Sequence, residues 1–270
     1  MPETRISRRF EELKRSGRKG LVAYITAGDP SPDRTPALVE ALERGGADLI
    51  ELGVPFSDPI ADGPVIQRAG ERALAAGTTL RGVLAIAAEI RRSSEIPLLL
   101  FTYLNPVVRY GVEDLARDAA AAGIDGCLLT DASVEEAAEY VAVMRRFGLD
   151  TVFLAAPTST PRRLRLIAEY STGFVYLVSR TGVTGERESL SAAALPLVRA
   201  VRAVTPLPLA VGFGVSNKEH VAELGREADA VVVGSAIMHL IERNAGNASL
   251  ELQLESFTRE LKSGFGAGRT

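Results

Sequence analysis

The segment DLIELGVPFSDPIADGP, residues 48–64, joins a strand-like apolar run to the carboxylates of Glu51, Asp58 and Asp62. Glu51 lies inside the run, where it would be buried on either face of the strand. A buried carboxylate is unfavourable unless it is paired with a cation or kept protonated by a raised pKa. An interior ion pair is the structural alternative, but the strand-like segments contain no Lys or Arg. The pattern therefore favours Glu51 as a catalytic acid and base.

Asp62 follows in the polar, proline-rich stretch after this run. Helix capping is the structural alternative, because Asp is a preferred N-cap residue. Pro64 favours the first helical position, however, which would make Gly63 the cap. Asp58 is then the better capping candidate, and the sequence alone leaves both roles open for Asp62. Two carboxylates within reach of one pocket would suit paired acid and base catalysis.

Glycine-bearing loops follow three later apolar runs, in SRTGVTGE, GFGVS and GSA. Gly185, Gly212, Gly214 and Gly234 would let the backbone approach a ligand closely, although a single glycine usually marks only a turn. Ser235 opens a helix, whose N-terminus favours an anion. These loops predict a phosphate site.

Two tyrosines, Tyr103 and Tyr176, belong to the same group of strand ends by position. Core packing is the simpler interpretation of either one alone. A buried tyrosine hydroxyl nevertheless needs a hydrogen-bond partner, and a nearby Asp or Glu would provide one.

Eight apolar runs alternate with helix-period segments and predict parallel strands covered on both faces. They are residues 21–26, 48–53, 97–104, 126–130, 150–156, 174–179, 208–213 and 230–235. This alternation predicts an α/β fold, a single (β/α)₈ TIM-barrel domain over residues 1–270. An open doubly wound sheet is the alternative, but TAGDPSPD after the first run is not a G-x-G-x-x-G turn.

Three further features of the barrel are expected outside the strands. Residues 4–16 form an extra N-terminal amphipathic helix, and the tail 264–270 is disordered. About 25 residues separate the second strand from the next clear helix, LRGVLAIAAEIRR. A connection of that length is uncommon unless it is functional.

Composition and charge limit the classes of function that the sequence can have. The chain has 270 residues, is 46% hydrophobic and has a net charge of −3, so it lacks the excess of positive charge that would indicate nucleic-acid binding. No apolar run is long enough for a transmembrane helix, so a cytoplasmic protein is expected. Cys127, the single cysteine, is expected in the core. His220 and His239 are expected to be structural, in helices away from the strand ends, and no metal site is expected.

The segment ELGVPFSDPIADGPVIQRA resembles the signature of the tryptophan synthase alpha subunit family. Further blocks resemble that family in the same order: TAGDP, TYLNPV, YLVSRTGVTGE, GFGVS and GSAI. The resemblance covers about residues 5–262. It implies retro-aldol cleavage of indole-3-glycerol phosphate to indole and glyceraldehyde 3-phosphate.

By this resemblance Glu51 matches the family's acid–base glutamate and Asp62 its catalytic aspartate. Tyr24 and Tyr103 match positions that line the indole pocket, and Tyr176 and Thr184 match positions that orient Asp62. The phosphate-site positions correspond to Gly185, Gly214, Gly234 and Ser235.

The family also implies a partner. Indole passes to a beta subunit for L-tryptophan synthesis in an alpha2beta2 complex, and pyridoxal phosphate belongs only to that partner. Pro55, Asp58 and Asn105 fall at or near the partner surface, and neither nucleic acid nor membrane is expected to bind. A stand-alone lyase and a non-catalytic barrel that regulates a beta-type partner remain the alternatives.

Two departures from the family pattern accompany the resemblance. The chain has Asp131, Ala132 and Ser133 where the family usually has Asp-Leu-Pro or Asp-Val-Pro, and losing that proline could loosen the loop. Tyr24 stands where relatives often have Phe, which keeps the ring and adds a hydroxyl.

Overall fold

The computed structural model describes residues 3–178, 190–212 and 214–266, which form nine strands in one parallel sheet. The strands are β1 Gly20–Thr26, β2 Leu49–Gly53, β3 Leu98–Thr102, β4 Gly126–Leu129, β5 Asp150–Val152, β6 Leu154–Ala155, β7 Val175–Val178, β8 Leu209–Gly212 and β9 Ala230–Val233. Every strand pairing is parallel. All eight apolar runs therefore contain strands.

Helices separate the strands, as parallel connections require. They are α1 Arg5–Arg15, α2 Thr35–Gly45, α3 Pro64–Ala75, α4 Leu80–Ile90, α5 Leu104–Tyr110, α6 Val112–Ala121, α7 Ala138–Arg146, α8 Pro161–Tyr170, α9 Leu190–Arg202, α10 Lys218–Gly225, α11 Ser235–Asn244 and α12 Leu250–Ser263, with 3₁₀ turns at Pro32–Arg34 and Val134–Glu136. Several helices begin at an N-cap residue whose side chain accepts a hydrogen bond from a backbone N–H of the first turn. They are Thr4, Thr79, Thr160 and Asn217.

The fifth apolar run closes the barrel because it is divided at Phe153. β5 pairs with β4 on one side, and β6 pairs with β7 on the other. The Tyr176 N–H donates to the Phe153 carbonyl at 3.2 Å, which bridges the break. One chain segment thus joins both ends of the sheet order, and the TIM-barrel prediction is confirmed.

Two hydrophobic clusters divide the apolar side chains, one between strands and helices and one inside the barrel. The interior cluster takes alternate residues of each strand, because successive side chains point to opposite faces. Its members include Val22, Leu49, Leu99, Leu128, Val152, Tyr176, Ala210 and Val232. Cys127 lies in the outer cluster and is 1% exposed, so it belongs to the core as expected.

Helix α1 covers the amino end of the barrel. Ile6, Phe10 and Leu13 recur at the spacing of one helix face and join the interior cluster. The Phe10 ring packs against Phe174 with centroids 5.5 Å apart. The extra N-terminal helix therefore completes the core that the strands leave open at this end.

Aspartates at the amino ends of three strands bind their neighbours. The carboxylates of Asp48, Asp125 and Asp229 each accept a backbone N–H from the adjacent strand, at 2.6, 2.9 and 2.9 Å. Arginines then pair with these buried or half-buried carboxylates, namely Arg9, Arg5, Arg91 and Arg202. These three carboxylates therefore stabilise the amino end of the barrel.

The long connection predicted after the second strand is not a single loop, because α3 occupies Pro64–Ala75. Its buried residues are only Ala69, Gly70 and Ala73, which give little hydrophobic periodicity. Of the tail, Phe265 packs against the outer cluster, and residues 267–270 lie outside the described part of the chain.

Within the described residues, no single helix is long and apolar enough to cross a membrane. Only α3 and α4 taken together pass that test, by length and composition, with a bend of 93° between them.

Replacing Phe10 with Ala is expected to lower the free energy of unfolding by about 3–5 kcal/mol, because it leaves a cavity under the barrel. Urea unfolding measures the change. Leu252→Ala is the control, since Leu252 is 68% exposed and its loss should change stability by less than about 0.5 kcal/mol. Equal effects of the two variants would mean that α1 does not complete the core.

Candidate active site

A cavity of about 400 Å³ opens at the carboxyl ends of the strands. Its walls are mostly apolar or aromatic, with a few polar groups, as is usual for small-molecule sites. The residues that line it are Tyr24, Glu51, Val65, Phe101, Tyr176, Gly214, Val215, Ser216, Val232, Gly234, Ser235, Ala236 and His239.

Glu51 faces this cavity from the middle of β2, in register with Tyr24 of β1 and Leu99 of β3. It is 1% exposed, its Oε1 atom makes no hydrogen bond, and no ion pair to it forms among the described residues. Burial alone raises the pKa of the Glu51 carboxyl to about 8. The ion-pair alternative is therefore wrong for the described part of the chain, and Glu51 holds a proton at neutral pH.

Glycines on neighbouring strands make room for the two tyrosines beside Glu51. A Cβ on Gly53 would lie 2.2 Å from the Tyr24 hydroxyl, and one on Gly212 would lie 2.3 Å from the Tyr176 hydroxyl. Only glycine tolerates such close approach. Each ring therefore lies over a strand end, and both rings line the cavity next to Glu51.

Asp62 lies on the loop of residues 54–63 and is outside the cavity lining. Its carboxylate accepts a hydrogen bond from the Tyr103 hydroxyl at 3.0 Å. Burial raises the pKa of Asp62 to about 6, and the Tyr103 hydrogen bond opposes this shift. The Tyr103 hydroxyl also accepts the Ala61 N–H at 3.1 Å, so one tyrosine holds both the loop backbone and the Asp62 side chain.

Gly63 is the N-cap of α3 and Pro64 its first residue, as the sequence predicted. Asp62 is therefore not the capping residue. Asp58 is exposed, and its carboxylate accepts the Ser57 hydroxyl at 2.5 Å. No bond from Asp58 to a helix N–H occurs among the described residues, and Gly63 occupies the N-cap of α3. The prediction that Asp58 caps this helix is therefore wrong.

The opposite end of the cavity is built from the loops after β8 and β9. Gly234 is the N-cap of α11 and Ser235 its first residue, so the N-terminus of this helix opens into the cavity. Gly214 has φ +76°, a conformation that favours glycine. Thr184 and Gly185 lie outside the described residues.

Sequence reasoning missed the position of His239. Both histidines were expected away from the strand ends, but His239 lines the cavity from α11, one turn beyond Ser235. His220 does not line it, yet its Nδ1 lies 3.3 Å from both the backbone nitrogen and the hydroxyl of Ser216, which does. The helical spacing of four residues between Ser235 and His239 was the available signal.

The model of the family described as "Tryptophan synthase alpha chain" matches residues 10–265. The chain belongs to the tryptophan synthase alpha chain family. The fold and family predicted from the sequence are therefore confirmed, and so is the carbon–carbon lyase activity that membership of this family carries.

Individual members of the tryptophan synthase alpha family agree along nearly the whole chain. The alpha chain of Solibacter usitatus is 76% identical over 264 residues, covering 98% of this chain and 99% of that protein. The Geobacter sulfurreducens alpha chain is 48% identical over 263 residues, covering 97% and 99%. A solved structure of Mycobacterium tuberculosis tryptophan synthase superposes with a TM-score of 0.89 at 39% identity, covering 98% of this chain and 99% of that chain.

The loop after β4, where the sequence departs from the tryptophan synthase alpha pattern, is held by polar contacts. The Asp131 carboxylate accepts the Leu104 N–H at 2.7 Å, at the start of α5. Glu135 on the following turn pairs with Arg163 of α8 at 2.9 Å. These two contacts restrain the loop that lacks the usual proline.

The residues matched to the partner surface of this family differ in exposure. Asp58 and Asn105 are exposed, whereas Pro55 is buried in the single chain.

No group of three or more His, Cys, Asp or Glu residues that could hold a metal occurs among the described residues.

The raised pKa of Glu51 predicts a pH dependence of stability. A raised carboxyl pKa contributes stability below its ordinary value of about 4.5 and loses it as the pH rises through about 8. Relative to Glu51→Gln, the wild type should lose roughly 3–5 kcal/mol of unfolding free energy between about pH 5 and pH 9. Urea unfolding of both proteins at the two pH values measures this. Parallel pH profiles would contradict the burial of an unpaired carboxyl group.

Proposed function

We propose that the chain cleaves indole-3-glycerol phosphate with Glu51 as the proton shuttle. The observation that carries the assignment is the Glu51 carboxyl group, which is buried, lines the cavity and makes no ion pair with the residues that the structure describes. Retro-aldol cleavage needs a group that first gives and then takes a proton. A carboxyl group with a pKa of about 8 is suited to both steps near neutral pH.

The proposed steps conserve protons. The Glu51 carboxyl group protonates C3 of the indole ring and becomes a carboxylate. That carboxylate then removes the proton from the hydroxyl group next to the bond that breaks. The electron pair of the carbon–carbon bond returns to the indole ring, and the hydroxyl carbon leaves as the aldehyde of glyceraldehyde 3-phosphate.

Asp62 stabilises the charge that this sequence creates. Protonation at C3 makes the ring nitrogen positive, and a carboxylate that accepts the indole N–H would offset that charge. Tyr103 supports the assignment, because its hydroxyl donates to the Asp62 carboxylate and opposes protonation. Since Asp62 does not line the cavity, substrate binding must bring the loop of residues 54–63 over the ring.

The remaining side chains position the two ends of the substrate. Tyr24 and Phe101 pack edge to face with centroids 5.2 Å apart and form an apolar wall for the indole ring, and Tyr176 lies beside Glu51. Gly234 and Ser235 bind the phosphate with backbone N–H groups at the start of α11, and Gly214 adds its N–H from the loop after β8. Thr184 and Gly185 are proposed from the family pattern alone.

We further propose that indole passes to a beta subunit. An exposed apolar surface, the α5 patch, supports a partner on this side of the barrel. It consists of Ile60, Leu104 and Val108, which are 83%, 37% and 60% exposed. Asn105 and Asp58 lie among these residues in the chain, and Tyr103 joins the two segments through Asp62 and Ala61.

Pyridoxal phosphate is proposed only for that partner, and no cofactor is proposed for this chain. The reaction above uses two carboxylates and needs none. A cytoplasmic location stays a prediction from the sequence.

Glu51→Gln should lower kcat for indole release by about 10²–10⁴-fold, because the amide cannot transfer the proton. Asp62→Asn should lower kcat by about 10²–10³-fold, because it removes the charge that faces the indole N–H. The assay measures indole from indole-3-glycerol phosphate, with and without a beta subunit. Glu89→Gln, which neutralises an exposed carboxylate on α4, is the control and should leave the rate unchanged.

The same assay separates the alternatives. Full activity of Glu51→Gln would contradict the assignment of Glu51. High turnover without a beta subunit would favour a stand-alone lyase over the partner-dependent enzyme. Absence of indole with and without the partner would favour a non-catalytic barrel.

Val108→Glu should weaken binding to a beta subunit by about tenfold or more, because it places an unpaired carboxylate in an apolar contact. Isothermal titration calorimetry measures the affinity, and cleavage by the isolated chain should not change. Leu252→Glu, at an exposed apolar residue of α12, is the matched control. Equal affinities of the two variants would contradict a partner contact at the α5 patch.

A further inference from the structure

The phosphate end of the cavity receives a dianion but contains little positive charge. Gly214, Gly234 and Ser235 offer only backbone N–H groups and a hydroxyl. Among the described residues that line the cavity, His239 is the only side chain that can carry a positive charge. Hydrogen bonds to an ionised group are strongest when the donor is also charged or strongly polarised. His239 is therefore the one described side chain able to give this end such a contact.

The position of His239 suits this contact. It follows Ser235 by four residues on α11, so the two side chains share one face of the helix. The His239 side chain is 44% exposed, whereas its Nδ1 atom is buried and makes no hydrogen bond. The ring is thus packed on one edge and open on the other.

Glu242 determines which edge is packed. The His239 Nδ1 lies 3.5 Å from Oε2 of Glu242 on the same helix. Arg68 donates to both oxygens of Glu242 at 2.7 and 2.9 Å, and Arg72 adds a bond at 2.9 Å. These hydrogen bonds, led by those from Arg68, lower the pKa of Glu242 to about 2, so it stays a carboxylate.

A fixed carboxylate beside Nδ1 favours the ring form that carries a proton on that nitrogen. The Nε2 atom on the opposite edge can bind a phosphate only as a donor, so the ring makes this contact as the imidazolium, with a proton on both nitrogens. Arg68 and Arg72 already bind the Glu242 carboxylate. That carboxylate therefore offsets little of the positive charge that His239 can offer to a ligand.

We propose that His239 binds the phosphate group of the substrate through Nε2, as an addition to the backbone site at the start of α11. The inference rests on the proposed function, since that function places the phosphate there. His239 acts on binding and not on the proton transfers at Glu51, because the phosphate is remote from the bond that breaks. Its loss should therefore raise KM and leave kcat nearly unchanged.

Calorimetric titration with glycerol 3-phosphate tests the contact without any cleavage. His239→Ala and His239→Gln should bind this probe about tenfold or more weakly than the wild type. His239→Lys, which restores a positive charge, should recover most of the affinity. In steady-state cleavage the Ala variant should show a similar rise in KM and a kcat within about twofold of the wild type.

Arg243→Ala is the matched control. Arg243 carries a positive charge on the same helix, is exposed and does not line the cavity, so its loss measures the general effect of charge on α11. That variant should bind glycerol 3-phosphate as the wild type does. An equal loss of affinity in Arg243→Ala and His239→Ala would overturn a direct contact.

The outcomes separate this inference from the function on which it rests. A wild type that binds glycerol 3-phosphate, with His239→Ala and His239→Gln binding it equally well, would overturn the role of His239 alone. A wild type that does not bind the probe would overturn the phosphate site and this inference with it. Probe binding without cleavage of indole-3-glycerol phosphate would overturn the proposed reaction and leave the contact standing.

Discussion

The burial of the Glu51 carboxyl group, with no ion pair from any described residue, is the constraint on which the active site depends. Free access of water, or a cation beside it, would return the pKa of Glu51 towards its ordinary range. Strands β1 and β3 flank Glu51 and aromatic rings lie beside it, so the carboxyl group is only 1% exposed although it faces the cavity. The glycines of neighbouring strand ends admit those rings. The raised pKa of Glu51, on which the proposed catalysis depends, is thus a consequence of packing.

The two ends of the barrel treat acidic residues in opposite ways. At the amino end, Asp48, Asp125 and Asp229 accept backbone N–H groups from neighbouring strands and pair with arginines. At the carboxyl end, Glu51 makes no ion pair with any residue that the structure describes, and its Oε1 atom makes no hydrogen bond there. The same parallel sheet can thus use its carboxylates for cohesion at one end and for proton transfer at the other. This division matches the usual separation of stability and catalysis in such barrels.

The sequence predicted the strands and the burial of Glu51 well because both depend on local pattern. Buried parallel strands are continuous apolar runs, and a charge inside one of them is conspicuous. The division of the fifth run at Phe153 was not predictable, since it follows from closure of the whole sheet. The start of helix α3 at Pro64 was predicted, but its extent was missed because it buries only small residues. His239 was missed because its approach to the cavity depends on how α11 packs, and its spacing of four residues from Ser235 was the only local sign of it.

Arg72 restrains the helix that follows the loop carrying Asp62. It binds Glu242 of α11 and, through two bonds of 2.8 Å, the buried Asp29 that follows β1. Helix α3 is thereby fastened both to α11 and to the segment that follows β1. The loop that carries Asp62 runs from β2 to this fastened helix, so both of its ends are stationary. Any movement of the segment between β2 and α3 over a ligand is therefore confined to residues 54–63, which can act as a flap between two restrained ends.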